Sequence, residues 1–304
     1  MPPIGTDHLW QVALARWAEI AGKSPDLEAA LALQQAMLRT IVDEAERVEK
    51  ADAQLPNIPL DVVSAKWIRG VPGFRNETIP IPAGLSDVLP ALCDTLVQGG
   101  AGGAALHLHA ALLNGTIDAG SMLAVSLARN EKAIRTSALH LGLSPDLVWL
   151  IGELGSSPLA HHLQARLLGR PEILRALGDW NRGYCPCCGS WPVLIEVMDG
   201  SRVLRCSFCA AAWELTSCRC LYCGNSGDNF VAAEIGQRSR RVELCGECGG
   251  YTKVIEVSSL TRFPLLAIED LASVDLDEGA MSRGYRRPTL PDLDSIDPLS
   301  SGCA

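Results

Sequence analysis

No stretch of this 304-residue chain is long and apolar enough to span a membrane, so insertion into a bilayer is not expected. Met1 to Gln11 lacks a basic segment followed by an apolar core, so the expected location is the cytoplasm. Disulfides are rare there and suit short secreted chains, which leaves the twelve cysteines to be explained otherwise. Positive charge is also scarce. A formal net charge of -9 repels phosphate, and the arginines at 202, 205, 238, 240 and 241 are almost balanced by nearby acids, so no nucleic-acid partner is expected. Gly99 to Gly103 lacks the following Lys and Ser/Thr of a phosphate loop and reads as a turn between helices. No nucleophile and base stand in a recognisable constellation. His107 and His109 point to different helix faces, His161 and His162 are adjacent, and all four read as surface or satisfied core histidines.

What is present in quantity is paired cysteine. Four C-x-x-C pairs, Cys185/Cys188, Cys206/Cys209, Cys220/Cys223 and Cys245/Cys248, supply eight thiols in two sets of four, the ligand demand of two tetrahedral all-sulfur metal sites. A two-residue spacer lets one tight turn aim both sulfurs at a common point. The gaps from Cys188 to Cys206 and from Cys223 to Cys245 each fit a β-hairpin. In the first, Pro192 to Met198 goes out, Asp199-Gly200 turns, and Arg202 to Arg205 returns. In the second, Phe230 to Ile235 goes out, Gly236 to Ser239 turns, and Arg241 to Leu244 returns. The same plan is used twice, as in a duplicated unit, and it predicts sequential pairing of the cysteines rather than ribbons that cross. Gly189, Gly224 and Gly249 follow three of the four knuckles and Ala210 the other. A thioredoxin-like centre needs one C-x-x-C at a helix start, not four on hairpins. Cys187 and Cys218 stand beside the proposed ligands, Cys93 lies in an apolar helical pattern and Cys303 is near the end; these read as spare or buried thiols. A four-cysteine site is coordinatively closed, which argues against an enzyme.

The segment before Cys185 reads as helical. Ser24-Pro25-Asp26 marks a helix start with a capping serine, and Leu27, Leu31, Leu38, Ile41, Val42, Ala45 and Val48 form one apolar face. A passage punctuated by Pro56, Pro59, Pro72, Pro80 and Pro82 comes next. Helical patterns resume at Ser86 and continue to about Leu168, with breaks near Gly99 to Gly103, Gly115 and Gly155 to Pro158. The expected fold class is α+β: an all-helical domain over residues 1–180, a first metal ribbon over 181–217, a second over 218–262 and a short C-terminal segment over 263–304.

The runs Gly183-Tyr184-Cys185-Pro186-Cys187-Cys188-Gly189-Ser190, Arg205-Cys206-Ser207-Phe208-Cys209 with Trp213, Cys220-Leu221-Tyr222-Cys223-Gly224 and Cys245-Gly246-Glu247-Cys248 resemble the formate dehydrogenase accessory protein family called FdhE. Glu269-Asp270-Leu271-Ala272, Leu276-Asp277 and Gly284-Tyr285-Arg286-Arg287 look like that family too. The resemblance is close over the ribbons and the C-terminal segment, and general over the helices. It implies a cytoplasmic maturation factor or chaperone that binds the catalytic subunit of formate dehydrogenase, with rubredoxin-like sites whose ligands are the eight paired cysteines. Cys187 departs from the family, where a non-thiol residue is more usual. Thiolates suit iron and zinc alike, and only the resemblance favours iron. A rubredoxin-like electron carrier is the first alternative, but such a carrier has no large helical domain attached. A ribbon-type nucleic-acid module is the second.

Overall fold

Alanine and leucine dominate the chain before the cysteines, and both favour helix over strand. In the computed structural model, residues 6–52, 55–100, 102–215, 219–226, 230–233 and 239–292 are described. The helices in chain order are α1 (Thr6–Lys23), α2 (Glu28–Lys50), α3 (Leu60–Ile68), α4 (Val88–Gln98), α5 (Gly102–Leu113), α6 (Ala119–Leu127), α7 (Glu131–His140), α8 (Pro145–Leu168) and α9 (Pro171–Leu177). The strands come next: β1 (Pro192–Met198), β2 (Ser201–Cys206), β3 (Ala212–Glu214), β4 (Phe230–Ala233), β5 (Arg240–Cys245) and β6 (Tyr251–Glu256). Helices α10 (Leu266–Leu271) and α11 (Val274–Met281) come after them. The fold is α+β, with a helical N-terminal region and then a sheet. No helix among the described residues is long and apolar enough to cross a membrane.

The chain divides into two compact units, 1–56 with 77–162, and 57–76 with 163–304. In the first, the apolar face of α2 buries Leu31, Leu38, Ile41, Val42 and Val48, and α2 packs against α4, which buries Leu89, Leu92, Cys93 and Leu96. Two local expectations differ. Ser24 makes no side-chain cap; Pro25 instead opens a 3-10 turn over Pro25–Leu27, and α2 starts only at Glu28. The expected break near Gly155 to Pro158 is not there, since α8 runs unbroken through Pro158. Proline cannot donate to the carbonyl four residues back, and the Ser157 hydroxyl donates to that Leu154 carbonyl instead at 2.9 Å. Gly99 to Gly103 does join α4 to α5, with Gly100 and Gly102 at positive φ.

The second unit is built on one six-stranded sheet of order β3-β2-β1-β6-β5-β4. Asp199 and Gly200 both take positive φ, the two-residue turn that matches strand twist, and close β1 onto β2. The second hairpin pairs β4 with β5, and its turn lies outside the described residues. The ribbons do not stand apart as separate modules. A parallel pairing of β1 with β6, Ile195 opposite Val254 and Val197 opposite Glu256, joins them edge to edge. Residues 263–304, expected as a short segment, supply α10 and α11, which pack on the sheet. Leu266 joins Val193, Leu194, Ala210 and Ile255, while Leu276 and Ala280 join Val242, Leu244 and Tyr251. The proline-punctuated passage also hides a helix, α3, whose face packs against α9 within this unit.

Candidate metal centre

Each C-x-x-C turn is built in the same way. The N–H of the leading cysteine donates to the carbonyl five residues on: Cys185 to Ser190, Cys206 to Ala211, Cys220 to Asn225 and Cys245 to Gly250, at 2.8, 2.9, 2.8 and 2.9 Å. The residue after each pair is left-handed, with φ of 86° at Gly189, 60° at Ala210, 75° at Gly224 and 67° at Gly249. The backbone feature is therefore uniform even though the residue is not. Alanine in that region costs roughly 1–2 kcal/mol relative to its favoured conformations. At Ala210 the burial of its methyl among Val193, Leu194, Ile255 and Leu266 offsets part of that cost.

These turns bring the sulfurs into two groups, Cys185, Cys188, Cys206 and Cys209, and Cys220, Cys223, Cys245 and Cys248, with all ligand atoms of a group within 4.8 Å of one another. In the first, Cys185 to Cys209 is 3.6 Å and Cys188 to Cys206 is 3.4 Å between sulfurs. In the second, Cys220 to Cys248 is 3.6 Å and Cys223 to Cys245 is 3.7 Å. Disulfides would need about 2.05 Å. Four sulfurs about 2.3 Å from a central ion would stand about 3.8 Å apart, so the spacing fits a tetrahedral thiolate site. Backbone N–H groups also face the sulfurs: Cys187 toward Cys185, and Phe208 and Cys209 toward Cys206, each at 3.4 Å.

Burial pushes the Cys185, Cys206 and Cys209 thiols well above the usual thiol range. It does the same to Cys220, against the pull of the Cys223 and Tyr222 N–H groups. Thiolates in such places require a compensating cation, and each quartet can hold one.

The surroundings of the two quartets differ. Around the first, Tyr184, Trp191, Phe208 and Trp213 are all buried. The loop after α3 crosses the leading knuckle, with Gly73 N–H donating to the Pro186 carbonyl at 2.7 Å and Phe74 N–H to that of Cys187 at 2.8 Å. Trp67 Nε1 also donates to Pro186, at 2.8 Å, and the buried Lys66 ammonium holds the loop through the Gly73 and Arg75 carbonyls. In the second quartet Cys223 is exposed and Cys248 half-buried. An edge-on contact between Trp191 and Tyr222, 4.9 Å between ring centres, links the two neighbourhoods. Gly183 lies so close to the second site that a Cβ there would sit 2.0 Å from the Leu221 carbonyl oxygen.

The wall of the first site was not read from the sequence, although Tyr184 and Trp191 flanking the first knuckle were a visible signal. Equally unforeseen is a partly buried ionic cluster linked to the second site. Lys253, fully buried, meets Asp270 at 2.5 Å and Asp277 at 2.8 Å, Arg287 meets the same two carboxylates, and the Tyr251 hydroxyl donates to Asp277. Tyr222 connects to it by donating to the Tyr251 carbonyl at 2.8 Å.

The remaining candidates take ordinary roles. Cys187 is buried beside the first quartet but outside its four sulfurs, and Cys93 is buried in α4, its thiol pushed up to about 12 by burial. Cys218 and Cys303 lie outside the described residues. His109 faces Asp94 and His162 faces Asp52, both in the helical unit. Arg202 is held by Glu243, Arg205 by Glu196 and Arg240 by Asp275, and Arg238 lies outside the described residues.

A helical region followed by one sheet that carries two four-cysteine groups is the class these observations define. Its fold matches the crystal structure of the FdhE protein from Pseudomonas aeruginosa, with a TM-score of 0.58 and 22% identity over 99% of this chain and 98% of that one. By sequence the chain is similar to the FdhE homolog of Aquifex aeolicus, 35% identical over 115 residues. It is also similar to FdhE of Salmonella paratyphi A, 33% identical over 125 residues. The matched stretches take in 35% and 40% of this chain and 40% of each relative's length. No family model matches. The chain is thus similar to FdhE proteins in sequence over part of its length and in fold over nearly all of it.

Proposed function

We propose that this chain is an accessory factor for the assembly of formate dehydrogenase, that it binds the catalytic subunit in the cytoplasm, and that it turns over no substrate of its own. The observation that carries the reading is the pair of four-cysteine groups in one sheet, in a chain similar to FdhE proteins. Cys185, Cys188, Cys206 and Cys209 hold one metal ion in this reading, and Cys220, Cys223, Cys245 and Cys248 the other. Iron is favoured by the resemblance, while the donor set suits zinc equally. A bound ion ties two knuckles together and so contributes its binding free energy to folding. Four thiolates fill a tetrahedral ion and leave no position for a substrate, in keeping with a binding role. The pairing of Arg202, Arg205 and Arg240 with carboxylates argues against a phosphate-binding face.

The test is formate-dependent dye reduction in a strain deleted for this chain, with and without the chain restored. Activity should fall in the deletion and return on complementation, because the catalytic subunit is left immature or unstable without its partner. Unchanged activity where the dehydrogenase is expressed would reject the assembly role.

A further inference from the structure

The two quartets share ligands, backbone turns and sulfur spacing, yet they meet solvent differently. In the first, Cys185, Cys188, Cys206 and Cys209 are each 4% exposed or less. In the second, Cys220 and Cys245, the leading members of their pairs, are as buried as that, whereas Cys223 is exposed and Cys248 half-buried. The contrast has causes in the sequence. Within the C-x-x-C that ends each hairpin, the first site has Phe208, which is buried, and the second has Glu247 at the matching position, which is exposed. Gly246 and Gly224 beside the second site are exposed as well. The first site is further closed by Gly73 and Phe74, whose N–H groups bind the carbonyls of its leading knuckle.

Exchange at a four-coordinate thiolate site begins when an incoming donor or proton reaches the ion or one of its sulfurs. Access therefore sets the rate when the donor sets are alike. We infer that the second quartet is an exchangeable metal site and the first a sealed structural one. A thiophilic divalent cation held by Cys220, Cys223, Cys245 and Cys248 is open to capture by a small thiol or chelator through the Cys223 and Cys248 side. One held by Cys185, Cys188, Cys206 and Cys209 leaves only when the surrounding unit opens. The inference rests on the metal-binding reading above and adds a division of labour to it.

Full-length protein loaded with zinc would be counted by native mass spectrometry, then challenged with EDTA while N-ethylmaleimide labels the freed thiols for peptide mapping. The expected result is two ions at the start and loss of one of them in a fast phase, with label appearing on Cys220, Cys223, Cys245 and Cys248 while the first quartet stays unlabelled. Two ions leaving at one rate, with all eight cysteines labelled together, would overturn the division and leave the two-metal reading standing. Earlier labelling of the first quartet would overturn it as well. Fewer than two ions at the start would tell against the two-metal reading itself and remove the basis of the inference.

Discussion

At the scale of the residue, the left-handed position after each C-x-x-C pair carries the geometry of the site. Gly224 adopts φ of 75° with nothing within 4 Å of where a Cβ would stand. A substitution there meets conformational strain and no clash. Gly224→Ala should therefore lower the stability of the loaded protein by about 1 kcal/mol, read from urea unfolding, while two metal ions still bind. A loss several times larger would mean that the turn tolerates alanine only where neighbours pack on it, as at Ala210. The eight cysteines were legible in the sequence because a two-residue spacer is local information. Their coverage was not. The contact of Trp67 with Pro186 joins residues far apart in the chain, and nothing in the C-x-x-C spacing shows which knuckle a distant loop will cross.

At the scale of the element, α10 and α11 are held to the sheet by charge as well as by apolar packing. Burial alone would raise the Asp270 carboxyl, but Arg287 and Lys253 beside it hold it below the usual carboxylate range. A carboxylate depressed in the folded state contributes stability that is fully present above its unfolded value, about 3.9, and is lost as pH falls toward its folded value. Proteolysis of the segment containing α10 and α11 should accordingly accelerate below about pH 4. The Asp270→Asn variant should lack that step. Asp277→Ala removes a partner of the buried Lys253 and of Tyr251, and should cost on the order of 3 kcal/mol in urea unfolding. The hairpins were legible through β-branched runs and Asp199-Gly200. Helix α3 was not, because a nine-residue element with Pro59 before it and Pro72 soon after it looks like a loop. In α8 a serine hydroxyl satisfies the carbonyl that Pro158 leaves open, which a proline rule does not consider.

At the scale of the whole molecule, the sheet is packed under α10 and α11, and bound metal is expected to add its binding free energy to that packing. Cys245→Ser should expose the sheet segments to limited proteolysis and abolish the proposed capture of the catalytic subunit, while circular dichroism of the helices in 1–56 and 77–162 persists. A variant that keeps its sheet protected and still captures the subunit would show that the second metal is dispensable. The α+β class and the order of helices before ribbons were legible from composition. The joining of the ribbons was not, because a parallel pair such as β1 and β6 leaves no turn between its strands to read.

That parallel pair also decides how the repeat is repeated. Matching elements run β1, β2, β3 in one copy and β4, β5, β6 in the other, and the order across the sheet is β3-β2-β1 and then β6-β5-β4. One copy is thus carried onto the next by a sideways step with its direction kept, not by a half-turn. A row made by stepping has a front and a back, whereas a pair made by a half-turn has two equal members. Here β1 abuts its neighbour while its counterpart β4 ends the row, and β6 abuts while its counterpart β3 ends it. Two nearly identical cysteine plans are consequently committed to unlike surroundings by their place in the row.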